Sequence, residues 1–231
     1  MPAGPGPGAA GTGRLWAPRA KAPYRSRVTD FAAVPAPSPF AGRDTPSALP
    51  AGCAEPTAAV VVLFGATGDL AVRMVIPAFV ECHERGLMPD AWALVGCSAD
   101  EIDDAHFRER VRESLTVNGA TAPPDVEEIL GRCSFASATF GPDDAGELLP
   151  RLAEARAAVA AEAGVPEKEV LVIHFLAVPP SAFPAITRGL GAHGLAEGAR
   201  IVYEKPYGRD QASCEELDAL VKDVLDEDQV F

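Results

Sequence analysis

Residues 57–70 run Thr57-Ala58-Ala59-Val60-Val61-Val62-Leu63-Phe64-Gly65-Ala66-Thr67-Gly68-Asp69-Leu70. Ala58 to Phe64 is apolar throughout, with no polar alternation. A strand apolar on both sides belongs in the middle of a parallel sheet covered by helices on both faces. Gly65 and Gly68 break the strand at once, and Asp69 opens a segment of helical period. Strand, glycine turn and helix, in that order, are the ingredients of a diphosphate-binding turn. Gly65 lets the chain leave the strand sharply and Gly68 lets backbone approach an anion without a side chain in the way. The helix start adds free N–H groups and a partial positive charge, and Thr67 a hydroxyl. An ordinary strand-to-helix turn also tolerates two glycines, so the rest of the chain has to separate the two readings.

Downstream, strand-length apolar runs keep alternating with longer helical segments. The pattern predicts a helix over 69–85, kinked or shortened at Pro77, which costs about 3 kcal/mol inside a regular helix. Ala91 to Cys97 reads as a second strand. Asp104 to Leu115 reads as a helix with Phe107, Val111 and Leu115 along one stripe. Cys133 to Thr139 is a third strand, and Asp144 with Glu147 a capping box before a helix reaching Ala163. Val170 to Val178 is a strand, Pro180 to Gly194 a helix and Ala199 to Glu204 a strand. The last helix, Asp210 to Asp226, carries Leu217, Leu220, Val221, Val224 and Leu225 on a buried face. The order implies an α/β fold, a Rossmann-like, doubly wound, mostly parallel sheet over residues 57–231.

Upstream the composition changes. Residues 1–56 hold 11 of the 22 prolines and 7 of the 21 glycines without apolar periodicity, so a disordered Pro/Ala/Gly-rich extension is expected there. It lacks the Ser-rich amphipathic pattern of a transit peptide. It takes six of the 20 basic and three of the 33 acidic residues, leaving 14 and 30 on the remainder, a net charge of −16. That excess argues against nucleic acid as a partner. No apolar run is long enough for a bilayer crossing, and no membrane partner is expected. Cys53, Cys82, Cys97, Cys133 and Cys214 have no short spacing and read as free thiols in a reducing compartment, hence a cytoplasmic location. The four histidines, His83, His106, His174 and His193, are equally scattered, and no metal site is expected.

Two further places carry chemistry. Cys97-Ser98-Ala99-Asp100 ends the second strand, where a carboxylate favours the ribose diol of NAD and an Arg the 2'-phosphate of NADP. Asp100 or Glu101 fills the first role, or Asp100 is a solvated loop residue or helix cap. Glu204-Lys205-Pro206-Tyr207-Gly208-Arg209-Asp210 follows a strand ending in Ile201-Val202-Tyr203. A lysine there points into the crevice where open α/β sheets bind ligands. Taken with Val62 to Leu70 and with Leu176-Ala177-Val178-Pro179-Pro180, this segment resembles the amino-terminal NAD(P)-binding domain of glucose-6-phosphate dehydrogenase, in register from Val60 to Phe231.

The resemblance implies hydride transfer from glucose 6-phosphate to NADP or NAD, giving 6-phosphogluconolactone, a reaction of the pentose phosphate pathway. By position it assigns Gly65, Ala66, Thr67, Gly68, Asp69 and Leu70 to the cofactor turn. Phe175 and residues 177–180 flank the dinucleotide, and Lys205 contacts substrate and cofactor. Two departures matter. Ala99 stands where many members carry the Arg that meets the 2'-phosphate, so a weakened or reversed NADP preference is expected. The family's R-I-D-H-Y-L-G-K segment, with its general-base His, would follow Phe231. These residues alone are therefore expected to bind a dinucleotide and turn over slowly or not at all, with homo-oligomer formation an open option. Other readings are a non-catalytic nucleotide-binding or regulatory relative of that family, or another sugar oxidoreductase with an E-K-P motif.

Overall fold

The computed structural model describes residues 56–116 and 123–231. The extension expected over 1–56 lies outside them except for Pro56, as does Cys53. Five strands, β1 (Ala58–Phe64), β2 (Ala91–Ser98), β3 (Cys133–Ser137), β4 (Leu171–Leu176) and β5 (Arg200–Tyr203), form one sheet in the order β3-β2-β1-β4-β5. Every pairing is parallel, and Val62 at the centre faces Val95 on one side and His174 on the other. β1 is buried along its whole length, as its uninterrupted apolar run requires.

The helices are α1 (Ile76–Glu84), α2 (Asp104–Thr116), α3 (Val126–Gly131), α4 (Leu148–Ala163), α5 (Phe183–Ala192) and α6 (Gln211–Val224). From β1 to β3 the chain moves one way across the sheet and lays α1, α2 and α3 on one face, against Val61, Leu63, Trp92 and Leu94. It then crosses back through α4 to β4 and β5, and α4, α5 and α6 cover the other face over Val60, Val62, Phe64 and Ile201. Reversing direction switches faces because each strand-to-strand crossover keeps its right hand. The reversal falls between β1 and β4, which opens a crevice at their carboxyl ends. It also leaves β4 asymmetric: Val172, His174 and Leu176 are buried on the face that α4, α5 and α6 cover, while Leu171, Ile173 and Phe175 on the other face are only half-buried.

Differences from the sequence reading are local. Between the glycine turn and α1 the chain forms a π-helical segment, Ala71–Val75, and Pro77 sits in the first turn of α1. The switch from wide to regular hydrogen-bond register thus falls beside the residue that has no N–H to give. α3 is a short helix that the periodicity did not indicate. Asp144 and Glu147 do not cap α4. Instead Asp144 accepts from the Gly146 N–H at 2.8 Å and Glu147 from the Ser137 N–H at 3.2 Å. Gly146, at φ 52°, turns this segment back onto the end of β3. The last helix does have its box: Asp210 accepts from the Ser213 N–H at 2.8 Å, and Ser213 Oγ accepts from the Asp210 N–H at 3.0 Å. Among the described residues no helix is long and apolar enough to cross a membrane, and no group of His, Cys, Asp or Glu is placed to hold a metal ion.

Candidate functional site

At the carboxyl ends of β1, β2 and β4 three loops meet. Gly65 leaves β1 at φ 74°, and its N–H donates to the Cys97 carbonyl at 2.8 Å. A Cβ on Gly65 would lie 2.5 Å from the Ala177 oxygen and 2.8 Å from Val178 Cγ1, so the turn packs backbone to backbone on the loop after β4. The Gly68 N–H closes the turn on the Gly65 carbonyl at 2.9 Å, and the Val72 N–H takes the Gly68 carbonyl at 3.0 Å. A Cβ on Gly68 would meet only the Gly65 oxygen, at 3.1 Å, with open space beyond. The N–H groups of Asp69, Leu70 and Ala71 lead the helix that starts here, and the leading N–H groups of a helix have no intrahelical acceptor. The carboxylate of Asp69 turns outward to Arg73 at 2.7 Å. Open backbone over a helix start is a receptor for an anion.

The Thr67 hydroxyl donates to Ser98 Oγ at 3.1 Å, binding the turn to the end of β2. Ser98 Oγ also accepts from the Asp100 N–H at 3.2 Å, and the Asp100 carbonyl accepts from Ser137 Oγ at 2.8 Å. The loop holding Asp100 is therefore fixed from both sides while its carboxylate stays exposed. These two serines escaped the sequence reading because nothing in their spacing says that they meet residues 31 and 37 positions away.

On the other side of the crevice, Lys205 stands two residues beyond the end of β5, exposed and with no ion-pair or hydrogen-bond partner among the described residues. The Lys205–Pro206 peptide is cis. Tyr203 and Tyr207 bracket the lysine. Their rings meet edge to face at 5.5 Å, and Tyr203 also packs edge to face on Phe183 at 5.3 Å. The Thr187 hydroxyl donates to the Phe183 carbonyl, so the Tyr203 hydroxyl is the donor in its 2.7 Å bond to Thr187. Burial, then the neighbouring Tyr203, Asp218 and Cys214, push Tyr207 up to about 12; both phenols stay neutral and hold the turn by packing. Gly208 sits so close to α6 that a Cβ would lie 2.5 Å from Cys214 Sγ.

Below the crevice an apolar groove of about 480 Å3 runs along the half-covered sheet face, bringing Leu70, Met74 and Phe175 together with Glu204. The structure thus gathers Gly65, Ala66, Thr67, Gly68, Asp69 and Leu70 in one turn. Asp100 lies on its β2 side, Phe175 shares the groove with Leu70, and Lys205 stands free beyond β5.

A family model described as glucose-6-phosphate dehydrogenase, NAD binding domain, matches residues 62–231. The chain belongs to the glucose-6-phosphate dehydrogenase family. The matched part is the NAD-binding domain, and the family's coenzyme is NADP or NAD. Glucose-6-phosphate 1-dehydrogenase 2 of Mycobacterium bovis is 33% identical over 178 residues, which are 74% of this chain and 34% of the relative. Glucose-6-phosphate 1-dehydrogenase of Aggregatibacter actinomycetemcomitans is 28% identical over 176 residues, again 74% and 34%. The chain spans about a third of the length of these curated relatives. Among solved structures, the glucose-6-phosphate 1-dehydrogenase of Mycobacterium avium superposes with a TM-score of 0.60 at 29% identity, over 75% of this chain and 35% of its own. A glucose-6-phosphate dehydrogenase in complex with its substrate glucose-6-phosphate gives 0.65 at 27% identity, over 78% and 37%.

Proposed function

We propose that Gly65, Ala66, Thr67, Gly68, Asp69 and Leu70 receive the diphosphate of NADP or NAD, that Asp100 faces the adenosine ribose, and that Phe175 with residues 177–180 flanks the dinucleotide. The observation that carries this reading is the open backbone at Gly68 above the leading N–H groups of the helix. In the whole enzyme the reaction is hydride transfer from glucose 6-phosphate to give 6-phosphogluconolactone, a step of the pentose phosphate pathway. When bound, the nicotinamide supplies the hydride acceptor. Lys205 contributes an ammonium at the carboxyl end of β5, where it holds substrate against the coenzyme, and Tyr203 and Tyr207 keep it there. Thiols at Cys82, Cys97, Cys133 and Cys214 are all free, which suits a reducing cytoplasm.

Oxidising an alcohol also needs a base within about 2.6–3.2 Å of the departing proton. The four histidines all have other partners. His83 lies between Trp92 and Asp125, His106 binds Asp103, His174 is fully buried, and His193 binds the Gly141 carbonyl. These residues by themselves are therefore expected to bind nucleotide without family-like turnover. Calorimetric titration of the chain, Gly68→Val and Lys205→Ala with both coenzymes tests the site. The native chain binds, and Gly68→Val loses more than about tenfold in affinity while melting as the native chain does. Lys205→Ala keeps most of the dinucleotide affinity but loses the response to added glucose 6-phosphate. A native chain that binds neither coenzyme overturns the reading. Rapid turnover from it overturns the claim about the base.

A further inference from the structure

The carboxyl ends of β2 and β3 present one negatively charged surface. Asp100, Glu101 and Asp103 follow β2, and Asp143, Asp144 and Glu147 follow β3, while residues 86–107 and 133–150 contain no Lys or Arg. The two segments are joined: the Ala138 N–H donates to the Ser98 carbonyl at 2.8 Å, and Ser137 Oγ donates to the Asp100 carbonyl at 2.8 Å. Among the described residues, Arg151 and Arg108 contact these segments, and both are engaged. Arg151 lies 3.7 Å from both Asp104 and Glu154, and Arg108 donates to the Cys133 carbonyl at 2.9 Å. His106 is bound to Asp103 at 2.6 Å. The carboxylates of Asp144 and Glu147 are spent on backbone N–H groups, whereas those of Asp100 and Glu101 are exposed and unpartnered among the described residues. Through Ser98, which binds both Thr67 and the Asp100 N–H, this surface is tied to the glycine turn.

We infer that this surface selects an unphosphorylated ribose, with Asp100 as the specificity-determining residue, so that NAD is taken in preference to NADP. The inference rests on the nucleotide site proposed above. A carboxylate at the end of the second strand accepts from the ribose 2'-hydroxyl, whereas a 2'-phosphate needs a cation. A phosphomonoester adds about two negative charges, and here they would face Asp100 and Glu101, with no Lys or Arg among the described residues 86–107 and 133–150 to answer them.

The test is equilibrium titration of the full chain with NAD and with NADP, at low and at physiological salt, for the native chain, Ala99→Arg and Asp100→Asn. Ala99 is exposed, so an arginine there displaces nothing. NAD binds at least about tenfold tighter than NADP, and the gap narrows as salt screens the repulsion. Ala99→Arg and Asp100→Asn both shift the ratio toward NADP, a readout that general loosening of the loop would not produce because it weakens both coenzymes together. NADP binding as tightly as NAD to the native chain overturns the inference alone. An unchanged ratio in both variants overturns the assignment to Asp100. If neither coenzyme binds the folded native chain, the proposed nucleotide site fails and this inference falls with it.

Discussion

At Gly65 a side chain has nowhere to go, since the φ is left-handed and the Cβ position is filled by the Ala177 carbonyl. Gly68, three residues on, is the opposite case, a glycine whose missing side chain leaves room for something else. The sequence already suggests these two jobs, and the backbone angle of Gly65 and the neighbours of both positions give the physical reason for each. His174 illustrates a residue whose weight the sequence concealed. It sits on the central part of the sheet, wholly buried, with Nε2–H donating to the Leu195 carbonyl at 2.9 Å and Nδ1 without a partner. Burial holds it at about 4, below its ordinary 6.5, and the Leu195 bond offsets this only in part. The unfolded chain therefore takes up a proton near 6.5 that the folded chain refuses until near 4. Stability is unaffected above that window and falls as the pH drops through it, by on the order of 3 kcal/mol when fully expressed. Denaturant melts from pH 7.5 to 4.5 of the native chain and His174→Phe check this: the native chain loses stability faster on acidification. Parallel pH profiles would show that the imidazole is not the cause.

The element that matters most beyond the glycine turn is the segment joining β5 to α6. Its motif was visible as a string of letters, and its lysine was correctly placed at a strand end. What anchors the segment that carries the lysine is not legible there: the Tyr203–Tyr207 ring pair, the Thr187 hydroxyl on α5, and Gly208 packed on Cys214. Gly208→Ala is expected to push the segment off α6, costing about 1–3 kcal/mol by overpacking. A urea melt measures that loss, and the response of dinucleotide affinity to glucose 6-phosphate should weaken in the same variant. An alanine accommodated with neither change would mean that α6 simply gives way. Helix starts were less legible than helix faces. The carboxylate and serine at 210 and 213 do cap α6, yet the same kind of pattern at 144 and 147 serves the end of β3, because Gly146 bends the chain away from the helix axis.

At the scale of the whole fold, the described residues cover one sheet face throughout and the other over β1 to β3. Parallel strands are normally covered on both sides, and the half-buried Leu171, Ile173 and Phe175 are not. The folded chain is therefore expected to bind an environment-sensitive apolar dye in the groove lined by Leu70, Met74 and Phe175. Met74→Glu, at a position 56% exposed, should reduce the fluorescence without changing the melt. A native chain dark to the dye would show that the groove is closed in solution. The order of the strands and of every helix but α3, the central place of β1 and the turn that follows it are written in local sequence, because apolar run length and glycine placement act over a few residues at a time. Which face each helix covers, the hydroxyl links among Thr67, Ser98 and Ser137, the isolation of His174 and the merging of two acidic loops beside Asp100 arise only when segments tens of residues apart are brought together. Contacts of that range depend on how the crossovers wind around the sheet, and no short stretch of the chain carries that information.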